Sequence, residues 1–251
     1  MCERYVLPRQ EDAEREFVPA HCWWKFVPSF NVSFPQYVPV VRQHDGASEG
    51  VMMRWGFVPR LAEAVPLPNE MPDICLEWLG QTPDTRDPWL NSQRCILPMA
   101  GFYLWHLTPA KYRQPYFVSL QDRPVFGVAA LWERSESKDG DVIESFSIVT
   151  VPANPLISNL DRSGQEMPAI LRRKDYPTWL SGTPVRAKAV LHAYPEAWMR
   201  AHPVSPRVNS PKYNDAALIK PVSTPGAVRA SAGASTGSAS TIVPAVGRAV
   251  G

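Results

Sequence analysis

The sequence predicts an α+β domain: one compact unit built round an antiparallel, barrel-like sheet with short helices at its flanks. Three observations point there. Of 251 residues, 27 are proline, against a usual share of about 5 %, so turns cut the chain into many short elements and a helical bundle is disfavoured. Short apolar stretches rich in valine, isoleucine and aromatics recur at close spacing between residues 38 and 151, with polar turns between them, the pattern of antiparallel strands. Helix candidates are few and short.

In chain order, Pro19 to Pro39 is aromatic-rich and punctuated by proline, and Val38-Pro39-Val40-Val41 starts a strand. Val51 to Pro59 is a strand that ends at its proline. Residues 60–90 read as a long connection, with a helical option near Ile74 to Leu79. Arg94 to Leu107 alternates as a strand or strand pair. Tyr116 to Leu120 follows, then a turn at Gln121-Asp122-Arg123-Pro124, a strand from Val125 to Trp132 and another from Ser145 to Val151. Asn154 to Arg162 and Asp175 to Leu180 are helix candidates, the second with Asp175 as N-cap and Pro177 in its first turn. Pro195 to Arg200 adds a turn. Residues 222–251 hold seven Ala, five Gly, five Ser and no aromatic. Such a stretch cannot bury enough surface to offset its ordering entropy, so a disordered tail is expected.

The formal net charge is +2, so the average does not announce a nucleic-acid binder. From Arg200 onward six basic residues face one acid, Asp215, and Arg172-Arg173-Lys174 is a second basic cluster. These give weak support for a phosphate partner. The first twenty residues carry eight charges, which excludes the apolar core of a signal peptide. No apolar run approaches the ~18 residues of a membrane span. Cysteines 2, 22, 75 and 95 show no metal-binding spacing. The expectation is a soluble, cytoplasmic monomer of a reducing compartment, with free thiols and with neither metal nor cofactor.

The chain opens Met1-Cys2-Glu3-Arg4-Tyr5. Initiator methionine is trimmed when the next side chain is small. Cys2 would then carry an α-amine and a thiol on adjacent carbons, with ordinary pKa values near ~8 and ~8.5. An aldehyde meets the amine, forms a Schiff base, and the thiolate closes a five-membered thiazolidine; no internal residue can do this. The competing reading is an incidental cysteine at a frayed end.

Nine pieces in collinear order resemble one family. They are Met1-Cys2-Glu3-Arg4-Tyr5, Phe30-Asn31-Val32-Ser33-Phe34-Pro35, Trp55-Gly56-Phe57-Val58-Pro59 and the run from Arg94 through Gly101-Phe102-Tyr103-Leu104-Trp105. Then come Gln114-Pro115-Tyr116-Phe117, Ala130-Leu131-Trp132-Glu133, Phe146-Ser147-Ile148-Val149-Thr150, the split piece Leu160-Asp161-Arg162 with Met167-Pro168, and Pro203-Val204-Ser205-Pro206-Arg207-Val208-Asn209. Together they resemble the SRAP family, the SOS response-associated peptidases or abasic-site processing proteins. The resemblance covers residues 1 to about 221 and implies the α+β barrel-like fold. It also implies a cleft for single-stranded DNA holding an abasic site, self-removal of Met1, and a thiazolidine cross-link between Cys2 and the abasic aldehyde. By the same resemblance Arg4, Asn31, Trp55, Thr150 and Arg162 line the DNA cleft.

The chain departs from the family pattern at three polar positions. The family's glutamate stands at Leu104 and its histidine at Leu160, and its Asn-Ala-Arg segment aligns with Cys75-Leu76-Glu77. Leucine has no proton to give or take, so impaired cross-linking is expected. The alternative is a degenerate pseudoenzyme that binds single-stranded DNA without bonding to it. Residues Ser163 to Glu166 read as an insertion ahead of Met167-Pro168. His106 reads as a surface histidine, facing away from Trp105. Of Trp23, Trp24 and Trp55, mostly core residues, one could stack on a base.

Overall fold

The computed structural model describes residues 4–59, 71–136, 140–161 and 165–223. Cys2, Arg162 and the expected tail from residue 224 on lie outside them.

Asp45-Gly46 is a two-residue link between two strands, and both residues have positive φ, 48° and 80°. That is the condition for a tight hairpin turn whose twist matches its strands. It joins β4 (Tyr37–His44) to β5 (Ala47–Trp55), which stay in register from Tyr37↔Arg54 to His44↔Ala47. Around this hairpin stand β1 (Arg4–Leu7), α1 (Gln10–Phe17), β2 (His21–Cys22) and β3 (Ser29–Ser33) before it. After it come β6 (Asp73–Cys75), α2 (Pro83–Leu90), β7 (Arg94–Met99), β8 (Gly101–Leu107), β9 (Arg113–Leu120), β10 (Phe126–Glu136) and β11 (Val142–Pro152). The chain continues with α3 (Pro155–Leu160), β12 (Glu166–Pro168), β13 (Ile170–Leu171), α4 (Tyr176–Ser181), α5 (Pro184–Ala189) and β14 (Met199–Pro203).

The strands β5-β4-β7-β10-β11 are neighbours by antiparallel pairing, and β11 returns to β5 in parallel at Ser145↔Arg54 and Phe146↔Trp55. The expected barrel-like sheet is therefore a closed five-stranded barrel, mixed because its closing pair is parallel. Extra strands sit on its outside: β6 pairs parallel with β11, β12 antiparallel with it, β13 on β10 and β2 on β5. A second antiparallel sheet, β14-β9-β8-β1-β3, lies beside the barrel. Period-two alternation sorts its side chains. Tyr5, Leu7, Phe102 and Leu104 join the main core, while Val6, Tyr103 and Phe117 pack under Val204, Val208 and Leu218 of the C-terminal segment.

The sheet is tight at Gly101. A Cβ there would fall 2.3 Å from Phe117 Cζ and 2.6 Å from the Val118 carbonyl oxygen.

Several elements differ from the sequence expectation. Ile74 to Leu79 is not helical; Asp73–Cys75 is a strand because β11 offers it partners, and Trp78 closes a turn by donating its N–H to Cys75 O. The helix of that region is α2, with Pro83 in its first turn. Asp175 stands at the N-cap position of α4 as expected, but its side chain makes no capping hydrogen bond; it closes the 3₁₀ turn Arg173–Asp175 and its carboxylate accepts from Arg172 Nε at 3.2 Å. Among the described residues no helix is long and apolar enough to cross a membrane.

Candidate functional site

The site lies where the second sheet meets the end of the barrel formed by β6, β11 and β12. β1, from Arg4 on, runs beside it. Tyr5 pairs with Val32 on one side and Phe102 on the other, so β1 is the centre of a three-strand run. The Tyr5 ring meets Trp55 edge-on at 5.4 Å, and the Trp55 indole donates to Pro72 O at 2.8 Å, one residue before Asp73. Trp55 is thus a fully buried link between β1 and β6, and its ring offers no face to a base.

Arg4 and Asn31 form a unit. Arg4 Nη1 donates to Asn31 Oδ1 at 2.9 Å, and Asn31 Nδ2 donates to the carbonyls of Val208, Ser210 and Tyr213. Asn31 is buried with its amide spent on the chain's own groups, so it holds the C-terminal segment and Arg4 and does not line a cleft. Arg4 itself is half-buried at the edge.

Leu104 and Leu160 are 1 % and 3 % exposed and belong to the same apolar core. Beside them stands His106. It is not the solvent-facing histidine expected from sequence: Nδ1 lies 3.0 Å from Leu160 O and the ring meets Tyr116 edge-on at 5.9 Å. Period two explains this, because His106 lies two residues past Leu104 on β8 and shares its face. α3 supplies the carbonyl. Its N-cap Asn154 accepts from Ile157 N at 3.0 Å and donates to Tyr194 O at 2.7 Å, which fixes the helix end.

On the other side Cys75 pairs with Thr150 across β6 and β11. Thr150 is fully buried and donates to Glu166 Oε2 at 2.8 Å, so it positions Glu166 and does not itself face solvent. Cys75 is half-buried with a free thiol. Burial, then the nearby Glu166 charge, raises the Asp73 carboxyl above its ordinary 3.8. Sequence reasoning did not single out Asp73, which begins the strand that ends at Cys75. It also read Glu166 as part of an insertion, whereas Glu166 opens β12 in register with Pro152.

The described arginine clusters are largely spent internally. Arg172 reaches Asp175 and His192, Arg173 pairs with Glu16, and Arg207 pairs with Asp215 while stacking 4.3 Å over Tyr213. Large exposed aromatics remain at Trp23, Tyr37 and Trp78. Of the three early tryptophans considered for stacking, the exposed one is Trp23. Among the described residues no group of His, Cys, Asp and Glu is arranged to hold a metal ion.

A closed mixed barrel with a second sheet seating the first strand at its end defines a class of α+β domain with solved examples. A protein of Bacteroides thetaiotaomicron matches with TM-score 0.70 at 23 % identity, over 77 % of this chain and 85 % of its own. One of Bordetella bronchiseptica matches with TM-score 0.69 at 23 % identity, over 81 % and 100 %. The sequence model described as SOS response associated peptidase (SRAP) matches residues 1–211, and the chain belongs to that family. Its relatives include the abasic site processing protein YoqW of Bacillus subtilis, 30 % identical over 88 % of this chain and 99 % of that protein. The abasic site processing protein HMCES of Mus musculus is 25 % identical over 78 % and 66 %.

Proposed function

We propose that this protein processes abasic sites in single-stranded DNA by covalent capture. Met1 is removed, the Cys2 amine condenses with the ring-opened abasic aldehyde, and the thiol closes a thiazolidine. The observation that carries the reading is the family match from residue 1 to 211 together with a nucleophile two residues ahead of β1, the strand held between β3 and β8 against Trp55. An abasic sugar has no base to extrude, so the cost of presenting it to the site is small. Arg4 and Arg162 serve the DNA backbone, and the exposed rings of Trp23 and Trp78 are the candidates for stacking flanking bases.

Glu166, held by Thr150, and Asp73 add acidic groups near the end of β6. The buried leucines at 104 and 160 remove two family proton carriers, which slows the reaction without abolishing it, since general acid–base help supplies ~10²–10⁴-fold. A second reading rests on those same leucines: a pseudoenzyme that binds single-stranded DNA by salt-sensitive contacts alone.

A denaturing gel decides. Chain whose mass shows loss of Met1, incubated with a single-stranded oligonucleotide bearing one abasic site, yields a denaturation-resistant adduct that Cys2→Ala does not form. An adduct that persists in Cys2→Ala refutes the nucleophile. Salt-sensitive affinity with no adduct at all establishes the pseudoenzyme.

A further inference from the structure

We propose that His106 is the proton carrier of the capture step, a role that rests on the covalent reading above. β1 and β8 run antiparallel with Tyr5↔Phe102 and Val6↔Gly101, so the N-terminal end of β1 lies toward the Leu104–His106 half of β8. His106 is half-buried, on the Leu104 face, where the strand emerges from the core.

Its tautomer is dictated by its neighbour. A carbonyl oxygen can only accept, so the 3.0 Å contact with Leu160 O makes Nδ1 the protonated nitrogen of the neutral ring and leaves the lone pair on Nε2. No described residue hydrogen-bonds Nε2, and the edge-on contact with Tyr116 restrains the ring. A base oriented by a second group is the arrangement general acid–base catalysis needs. The oriented imidazole stands directly beside the two leucines that carry no proton.

In the step, the Cys2 nitrogen bonds to the aldehyde carbon and the carbonyl π pair moves to oxygen. Nε2 carries the two amine protons in turn to that oxygen, which leaves as water and leaves a C=N bond. The thiol then adds across it: the S–C bond forms and the thiol proton ends on the ring nitrogen. The imidazole is returned neutral, and no further reactant is needed.

The test uses the full chain with Met1 removed and single-turnover cross-linking to an abasic single strand. His106→Asn keeps a side-chain N–H for Leu160 O and lacks Nε2; His106→Gln is the second variant. Both are expected to cross-link at least about 10-fold more slowly than wild type, with unchanged affinity for an intact single strand and unchanged melting. Added imidazole is expected to restore part of the rate in both variants and none in Cys2→Ala. Wild-type rates in both variants, or slow rates that imidazole does not restore, overturn the assignment while leaving covalent capture standing. A wild-type chain that forms no adduct, or a Cys2→Ala chain that does, overturns covalent capture and this role with it.

Discussion

Leu104 and Leu160, where the sequence reading looked for lost proton carriers, serve the fold. Each contributes an apolar side chain to a continuous core. Replacing Leu104 by alanine is expected to cost about 2–5 kcal/mol of stability by leaving a cavity, read by urea denaturation. Asn31 acts the other way, as a polar group fully satisfied inside. Asn31→Ala leaves three carbonyls without their donor and removes the acceptor of Arg4 Nη1, for an expected loss of about 2 kcal/mol. Asp73 couples stability to pH. Its folded pKa is raised by burial and by Glu166, so the folded state binds the proton more tightly than the unfolded one. Its contribution is full below about 3.8 and is lost as pH rises through the higher folded value. Asp73→Asn is therefore expected to melt higher than wild type at pH 7, with the gain shrinking toward pH 3.5. Equal gains at both values would show that charge is not the cause.

α3 and β8 are the two elements that set the distance between His106 and its carbonyl. α3 is only six residues long, so little holds it beyond its cap and its packing. Asn154→Ala removes both the acceptor for Ile157 N and the donor to Tyr194 O. It is expected to cost about 1–2 kcal/mol and to slow cross-linking through displacement of Leu160 O, with melting and single-turnover rate as readouts. In β8 the constraint is a missing side chain. Gly101→Ala drives a methyl group into Phe117 and the Val118 carbonyl, and one of these is backbone. An expected loss of about 2 kcal/mol follows from overpacking. The barrel strands and β8 and β9 beside them were legible in the sequence, since alternation and turn residues are local. β6 was not, because Asp73-Ile74-Cys75 has no alternation of its own and becomes a strand through β11.

Across the whole molecule the charge balance is close to neutral, and most described arginines in the basic clusters are paired within the chain. Few phosphate contacts follow. The affinity for single-stranded DNA is expected to fall with log salt at a shallow slope, near the ~0.7 per contact of single strands, and a fluorescence-anisotropy titration against salt measures it. The composition of residues 222–251 predicts that truncation after Val222 leaves melting unchanged. A lowered melting temperature would show that the segment packs on the domain.

Fold class and the collinear family motifs were readable directly from residue order, because each depends on local spacing or on the identity of single side chains. The parallel β5–β11 closure, the strand at Asp73, the internal use of Asn31 and the placing of His106 against Leu160 came only with the folded chain. Each joins residues far apart in sequence, and the energy that selects it, burial and completed hydrogen bonds, exists only once the partner is in place.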